Sequence, residues 1–437
     1  MSPTQNRKYR SPKWWCETAA PAPDSAMTLA ICGWVGQAFF TSTQPGLNLF
    51  SAFWESNASW ELAALPLFIW MGEILFRTKL SEEMFTGLAP WLNRIPGRLF
   101  HTTILGCGIF GSVSGSSAAT CATIAKVSLP ELTKRGYDEK IAIGSLATAG
   151  TLGILIPPSI TMVVYAVAAD ASIIRIFLAG FLPGFLLMGL FSGYIAWWSI
   201  RNKDKMPPPE PATTFKEKMR LSKNLIPCAL LIVFICWSLI AGWATATECA
   251  AYGVVGSLAL AMWSRSLTWS NFNEALMGAT RTSCMIMFIL AGAAFLTKTM
   301  AFTGVPRELA EWVNSLNLSP YSLIACLVVV YLVLGTALDG ISMIVLTAAV
   351  VMPMVQKAGF DLIWFGIFVI LLVEIAEVTP PVGFNLFVLQ NMTGKDSNTI
   401  AVAAIPFFFC LVVCIVLVTI FPQIVTILPD LVMGVSK

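Results

Sequence analysis

The sequence contains few charged residues. Asp, Glu, Lys and Arg make up 12% of its 437 residues, and 57% are hydrophobic, whereas a soluble globular domain carries about 25% charged residues. The mean hydropathy is +0.76. The net charge of +3 is dispersed along the chain, so no concentrated basic face is available for a nucleic-acid partner. The composition predicts an integral membrane protein in contact with the lipid bilayer.

The sequence also lacks the motifs of common hydrolases. It has one histidine, His101, and no HExxH or GxSxG pattern, so a nucleophile with a neighbouring base is not apparent. Asp339 has no second intramembrane aspartate to form a protease pair. A P-loop is absent as well, which excludes ATP use by that route. We therefore expect no enzyme and no catalytic residue, and an ion gradient as the energy source.

Cysteines are present but scattered. The eleven cysteines lie mostly in apolar stretches, which does not suggest a disulfide framework. Cys410 and Cys414 are spaced to share a helix face, but His101 is far away in sequence. We expect no transition-metal site and no cofactor.

Long apolar runs fill most of the chain. About 20 apolar residues cross a bilayer as a helix, and this pattern predicts an all-α polytopic fold with ten to twelve crossings. Two runs, 99–129 and 321–355, are too long for one pass, and we interpret them as re-entrant hairpins. The remaining predicted spans are 27–41 (a weak one), 60–76, 141–169, 176–200, 225–243, 249–263, 276–299, 363–392 and 401–428.

Basic residues and prolines divide the chain. Residues 1–26 form a polar N-terminal extension, and 27–200 form a first repeat. Residues 201–223 hold seven basic residues and the spacer "PPPEP", which predicts a cytoplasmic linker under the positive-inside rule. Residues 224–437 form a second repeat.

The two halves are related by a constant offset of 223 positions. Pro130 aligns with Pro353, "GYD" at 136–138 with "GFD" at 359–361, and Pro157-Pro158 with Pro380-Pro381. The segment "ELTKRGYDEK" contains three basic residues, whereas its counterpart "QKAGFDLIWF" carries a single lysine. This asymmetry indicates opposite orientation, and inverted repeats are typical of secondary transporters.

Each proline pair interrupts an apolar run, in 141–169 and in 363–392. Two prolines break a helix, and carbonyls freed at membrane depth are tolerated only where they are buried in protein or line a watery site. Such carbonyls can bind a cation. The predicted hairpins carry polar centres, "GSVSGSSAAT" and "LGTALDGIS". The offset of 223 positions aligns Asp339 in the second centre with Ser116 in the first. For either motif alone, close helix packing explains the pattern equally well, but their repetition at matched spacing favours a transport site.

These segments resemble the large membrane subunit of TRAP transporters, the tripartite ATP-independent periplasmic family. The resemblance extends from about residue 60 to the C-terminus and rests on blocks such as "SGSSAATCATIAKVSLPELTKRGYDEK", "TLGILIPPSITMVVYAVAADASI", "LGTALDGISMIVLTAAVVMPMVQKAGFD" and "EVTPPVGFNLF". It implies an elevator-type importer of organic anions, typically carboxylates, coupled to Na⁺, in the bacterial inner membrane. It also implies two partners, a small membrane subunit and a periplasmic substrate-binding protein.

The resemblance further implies two sodium sites and a substrate site between them. The first sodium site would comprise Ser114, Gly115, Ser116, Gly153, Ile156 and Pro157. The second would comprise Gly335, Asp339, Thr379, Val382 and Gly383. The polar substrate candidates are Ser116, Ser117, Ser159 and Asn385, for which helix packing or backbone capping is nearly as good an explanation.

One departure from the family pattern affects the second site. Ala376-Glu377 stands where the family usually has a Gly-Leu pair, and the extra carboxylate would alter ion affinity or couple a proton. A proton-coupled or other ion-coupled transporter, and a passive channel subunit, therefore remain alternatives. The substrate itself cannot be read from the sequence, because selection in such systems rests largely with the binding protein.

Overall fold

The structure is a computed structural model, and it describes residues 21–40, 44–78, 87–208, 214–223, 225–304, 308, 311, 319–335, 338–380 and 383–434. The helices of the first half are α1 Pro21–Phe40, α2 Pro45–Asn57, α3 Ala64–Arg77, α4 Leu99–Ser114, α5 Ser117–Lys134, α6 Glu139–Ala149, α7 Leu152–Leu155, α8 Ile160–Ala168 and α9 Ile173–Arg201. Those of the linker and second half are α10 Phe215–Leu221, α11 Leu225–Ile240, α12 Ala246–Trp263, α13 Trp269–Thr303, α14 Pro320–Gly335, α15 Gly340–Lys357, α16 Leu362–Glu377, α17 Phe384–Thr393, α18 Ser397–Ile420 and α19 Gln423–Met433.

The all-α fold is confirmed. Of the described helices, α9, α13, α15 and α18 are long and apolar enough to span a membrane by length and composition. The bent pairs α6–α8 and α10–α11 pass the same test when each is taken as one unit, which raises the number of candidate spans to six.

The internal repeat is visible in matching helix ends. Ser116 caps α5 by accepting a hydrogen bond from the Ala119 amide, and Asp339 caps α15 by accepting one from the Ser342 amide. Both the caps and the donors are 223 positions apart. Gly136 and Gly359 show the same offset and share a left-handed backbone, with φ of 77° and 84°. The offset read from the sequence is therefore a structural repeat.

Several boundaries differ from the sequence prediction. Helix α1, Pro21–Phe40, overlaps the end of the segment assigned to the polar extension. Residues 1–20 lie outside the described residues. The first hairpin continues to Lys134, beyond the predicted end at 129, with Pro130 inside α5. The linker contains a short helix, α10, which begins with a capping box formed by Thr214 and Glu217.

The helices form two groups. Helices α1, α2, α3 and α12 pack with one another or against the long α13, and α11 packs against α12. We call these six helices the scaffold. The hairpins α4–α5 and α14–α15, the broken helices α6–α8 and α16–α17, and helices α9 and α18 form the second group, which we call the core.

Helix α16 lies at the centre of the core. It contacts helices of both repeats, including α7, α8, α9, α14, α15 and α18. All of its residues from Ile363 to Ala376 are buried. A helix that is apolar all round is expected in such a position, and this placement makes its acidic residue Glu374 unusual.

Candidate functional site

The first hairpin turns at Ser114, Gly115 and Ser116. Gly115 adopts a left-handed conformation with φ of 58° and ends α4, its amide donating to the Gly111 carbonyl. Ser116 is extended and begins α5 as its N-cap. A glycine followed by a capping serine therefore allows the chain to reverse within three residues.

The Ser114 hydroxyl faces inward at this tip. It lies 2.6 Å from the hydroxyl of Thr120, and the Thr120 hydroxyl donates to the Ser116 carbonyl at 2.8 Å. Ser114 is buried and Ser116 is half-buried. Thr120 was absent from the predicted site, although its position one helical turn after Ser116 would have placed it there.

The first tip packs directly on the first broken helix. A Cβ atom added to Gly111 would lie 2.5 Å from the Gly153 Cα, and one added to Gly115 would lie 3.0 Å from the Ile160 amide nitrogen. The two backbones touch because these positions have no side chain. The structure thus brings the tip together with Gly153 and with the start of α8.

The break itself is stabilised by a serine. Helix α7 ends at Leu155, Ile156 is extended, and Pro157-Pro158 is a cis peptide. Ser159 then caps α8 and donates its hydroxyl to the carbonyl of Ile154 at 2.7 Å. Ser159, a predicted substrate residue, is 1% exposed and bonded to backbone. The Ile156 side chain faces Gly108 of α4 and Gly184 of α9.

The second hairpin packs on the last turn of α16. A Cβ at Gly335 would contact the Ala376 Cβ, and one at Gly340 would contact the Val373 side chain. Asp339 caps α15 between these contacts, and its side chain is exposed. Among the described residues of this region, Glu374 is the completely buried acidic residue.

The second break lies between α16 and α17, and a hydroxyl group also bonds to backbone there. The Thr379 hydroxyl donates to the Ile375 carbonyl at 2.6 Å, and the Gly383 amide donates to the Thr379 carbonyl at 3.1 Å. Gly383 precedes the first residue of α17. Val382, predicted as a ligand of the second sodium site, lies outside the described residues.

A hydrogen-bonded bridge connects the two repeats. The Ser117 hydroxyl donates to the Asn385 side-chain oxygen at 2.8 Å, and the Asn385 side-chain amide donates to the Ala147 carbonyl at 2.9 Å. Both side chains are buried, Asn385 completely. Two of the predicted substrate residues therefore meet, and the structure satisfies their polar atoms within the protein.

Helix ends of opposite polarity converge around the tips. The N-termini of α5 and α8 meet at Gly115, and N-termini carry partial positive charge that favours an anion. Helices α4 and α7 end in the same region, and their last carbonyls have no partner in the helix. The arrangement can offer amides to an anion and carbonyl and hydroxyl oxygens to a cation.

Two repeated halves, each with a hairpin tip packed on a broken helix, are typical of multi-pass secondary transporters. The family model described as "Tripartite ATP-independent periplasmic transporter, DctM component" matches residues 24–424. The chain belongs to this family, and the resemblance seen in the sequence is confirmed.

Relatives with assigned names are transporter permeases, not enzymes. The chain is 32% identical to the C4-dicarboxylate TRAP transporter large permease protein DctM of Pseudomonas aeruginosa, over 86% of this chain and 88% of the relative. It is 28% identical to the ectoine/5-hydroxyectoine permease UehC of Ruegeria pomeroyi, over 85% and 86%. It is 29% identical to the isethionate permease DctMQ of Oleidesulfovibrio alaskensis, over 84% of this chain and 58% of the relative.

A solved structure supports the fold. The YdaH transporter of Alcanivorax borkumensis, described as having an unusual topology, aligns with a TM-score of 0.65 and 13% sequence identity. The alignment covers 93% of this chain and 98% of that one. At this identity the likeness supports the shared architecture alone.

Proposed function

We propose that this chain is the permease subunit of a tripartite secondary transporter that imports an organic anion, of the carboxylate class, driven by a Na⁺ gradient. The observation that carries the proposal is the packing of each hairpin tip on a broken helix, with the Ser117–Asn385 bond joining the two repeats. Irregular backbone at membrane depth is tolerated only where it is buried in protein or lines a water-filled cavity, and in secondary transporters such broken helices form the substrate and ion sites.

An anion fits the first tip for electrostatic reasons. The N-termini of α5 and α8 meet there, and each is equivalent to roughly half a positive charge. The names of the relatives cover C4-dicarboxylates, isethionate and ectoine, so the family alone does not fix the substrate. A dicarboxylate is the substrate class to test first, because three relatives named for C4-dicarboxylate transport match over at least 86% of this chain.

Na⁺ fits the oxygen-rich lining of the tips. The first site would use Ser114, Gly115, Ser116, Gly153, Ile156 and Pro157, and the second Gly335, Asp339, Thr379, Val382 and Gly383. Hydroxyls and backbone carbonyls are hard ligands suited to such a cation. Ser116 and Asp339 occupy equivalent positions in the repeat, which supports paired sites.

The core would move against the scaffold as an elevator, in the bacterial inner membrane. Asp339 at the second tip is exposed, whereas the equivalent Ser116 at the first tip is half-buried, which is compatible with a core that is more open at one tip than at the other. A small membrane subunit and a periplasmic binding protein that delivers substrate are the partners of this proposal.

Uptake by a reconstituted complex tests this function. The permease, its small membrane subunit and its binding protein would be assayed in proteoliposomes for labelled succinate, with inward Na⁺, K⁺ or proton gradients. We expect uptake that requires Na⁺ and the binding protein and that falls in Asp339→Asn. Asp361→Asn is the matched control, because Asp361 is also an exposed aspartate that caps a helix. Uptake driven only by protons, or passive equilibration without accumulation, would contradict sodium coupling.

A further inference from the structure

Helix α16 buries two carboxyl groups that the tip sites do not use. Glu374 is completely buried, and within the described part of the chain neither of its carboxylate oxygens has a hydrogen-bond partner. Glu377 follows three residues later, and its Oε2 is buried without a partner among the same residues. Side chains three apart on a helix are neighbours, and the two carboxyl groups interact electrostatically.

The groups that face this pair are neutral or acidic. Glu374 lies near the Thr151 hydroxyl and interacts electrostatically with the Cys414 thiol. Glu377 lies near the Ser117 hydroxyl and interacts electrostatically with the Cys121 thiol and with Asp339. Neither glutamate takes part in any ion pair between described residues, whereas Glu73 of the scaffold lies 2.8 Å from Arg77.

Thr151 and Glu374 are equivalent positions of the repeat. They are 223 residues apart, each lies on a broken helix, and their side chains face each other. The pair therefore lies where the first broken helix contacts the second. Any ligand held there would move with the core.

Charge balance indicates what the pair holds. Glu377 lies beside two helix N-termini, since Ser117 is the first residue of α5 and a Cβ at Gly340, the first residue of α15, would lie 3.5 Å from the Glu377 Oε1. The Asp339 carboxylate already caps the α15 N-terminus, so these helix ends do not neutralise the pair. Neither glutamate has a cationic partner among the described residues, and a buried unpaired carboxylate is very costly. A monovalent cation bound between the two carboxyl groups would lower this cost.

We propose that Glu374 and Glu377 bind one Na⁺, with the Thr151 and Ser117 hydroxyls as neutral ligands, in a third site that adjoins the hairpin tips and uses carboxyl groups that belong to neither tip site. The inference rests on the proposed function, and it adds a coupling ion to it. The all-oxygen ligand set suits a hard cation.

The test is the number of Na⁺ ions moved per substrate in the reconstituted complex. Succinate flux would be balanced against imposed Na⁺ gradients in proteoliposomes for wild type, Glu374→Gln, Glu377→Gln and the control Glu73→Gln. Glutamine keeps the size of the side chain and removes its charge. We expect each of the first two variants to move one Na⁺ fewer than wild type, and Glu73→Gln to match wild type because Glu73 already has a cationic partner.

Other outcomes overturn the inference in distinguishable ways. If wild type is driven by Na⁺ and the variants move the same number of ions, only the additional site is wrong. If Glu374→Gln reduces the protons moved and not the Na⁺, the pair binds a proton and the inference is wrong. If wild type shows no Na⁺ dependence, the proposed function fails together with it. If Glu374→Gln does not insert into the membrane, ²²Na⁺ binding would instead be measured on purified wild type and Thr151→Val. We expect weaker binding in Thr151→Val, and equal binding in the two proteins would contradict the site.

Discussion

The hydroxyl of Ser117 donates a hydrogen bond to the side-chain oxygen of Asn385 across 2.8 Å. The two residues are 268 positions apart and belong to different repeats. Asn385 also donates to the Ala147 carbonyl in the first broken helix. One buried asparagine therefore fixes the second break relative to both the hairpin and the broken helix of the first repeat.

Replacing this asparagine is expected to destabilise the core. Asn385→Ala removes the acceptor of the Ser117 hydroxyl and the donor to the Ala147 carbonyl, and a buried polar group left unsatisfied costs about 1–3 kcal/mol. We expect a lower melting temperature in detergent and reduced uptake. Asn398→Ala is the control, because Asn398 is exposed near the start of α18. Equal melting temperatures for the two variants would contradict the role of this bridge.

The close approach of Gly111 and Gly153 predicts a steric effect. The methyl group of Gly111→Ala would lie 2.5 Å from the Gly153 Cα, which is backbone and cannot move aside alone. We expect the tip to separate from the broken helix, with a destabilisation of about 1–3 kcal/mol and loss of transport.

Gly189→Ala provides the matched control for Gly111→Ala. Gly189 is also helical, but its added Cβ would meet nothing within 4 Å. Alanine is favoured over glycine in a helix interior by roughly 0.5–1 kcal/mol, so this variant should be at least as stable as wild type. A Gly111→Ala protein as stable and active as Gly189→Ala would show that the tip does not depend on this contact.

The break before α8 depends on one hydroxyl. Ser159→Ala removes both the cap of α8 and the donor to the Ile154 carbonyl, and a buried carbonyl left without a donor costs about 1–3 kcal/mol. Ser172→Ala removes an exposed cap at the start of α9, for which about 1 kcal/mol is expected. Thermal unfolding would give the loss of stability in each variant. A smaller loss for Ser159→Ala than for Ser172→Ala would contradict the role of the Ser159 hydroxyl in stabilising the break.

The sequence predicted the plan of the core because its signals are local. Proline pairs, "G(Y/F)D" and the Ser116–Asp339 correspondence each determine backbone conformation within a few residues, and all recur at the offset of 223 positions. The structure places Ser116 and Asp339 as equivalent helix caps. The hairpins and the first broken helix followed from these patterns.

Other features depend on contacts between distant segments and could not be predicted. The Ser117–Asn385 bond joins two residues that each looked like a free polar candidate. From the sequence alone, Glu73 and Glu374 look alike, because each is an acid within an apolar segment that could hold helices together. The structure places Arg77 beside Glu73 and, among the described residues, no cation beside Glu374. The exposure of Asp339 likewise depends on how the second hairpin packs.

Sodium binding at the tips is the central claim, and thermal stability tests it most directly. The purified protein would be unfolded in detergent with Na⁺ replacing K⁺ at constant ionic strength, as wild type, Ser116→Ala, Asp339→Asn and the control Asp361→Asn. A ligand at 100 times its dissociation constant stabilises the folded state by about 2.7 kcal/mol. We expect a saturable, Na⁺-specific rise in stability that weakens in both tip variants and persists in Asp361→Asn. Equal stability in Na⁺ and K⁺, or a rise unchanged by both tip variants, would contradict sodium binding at the tips.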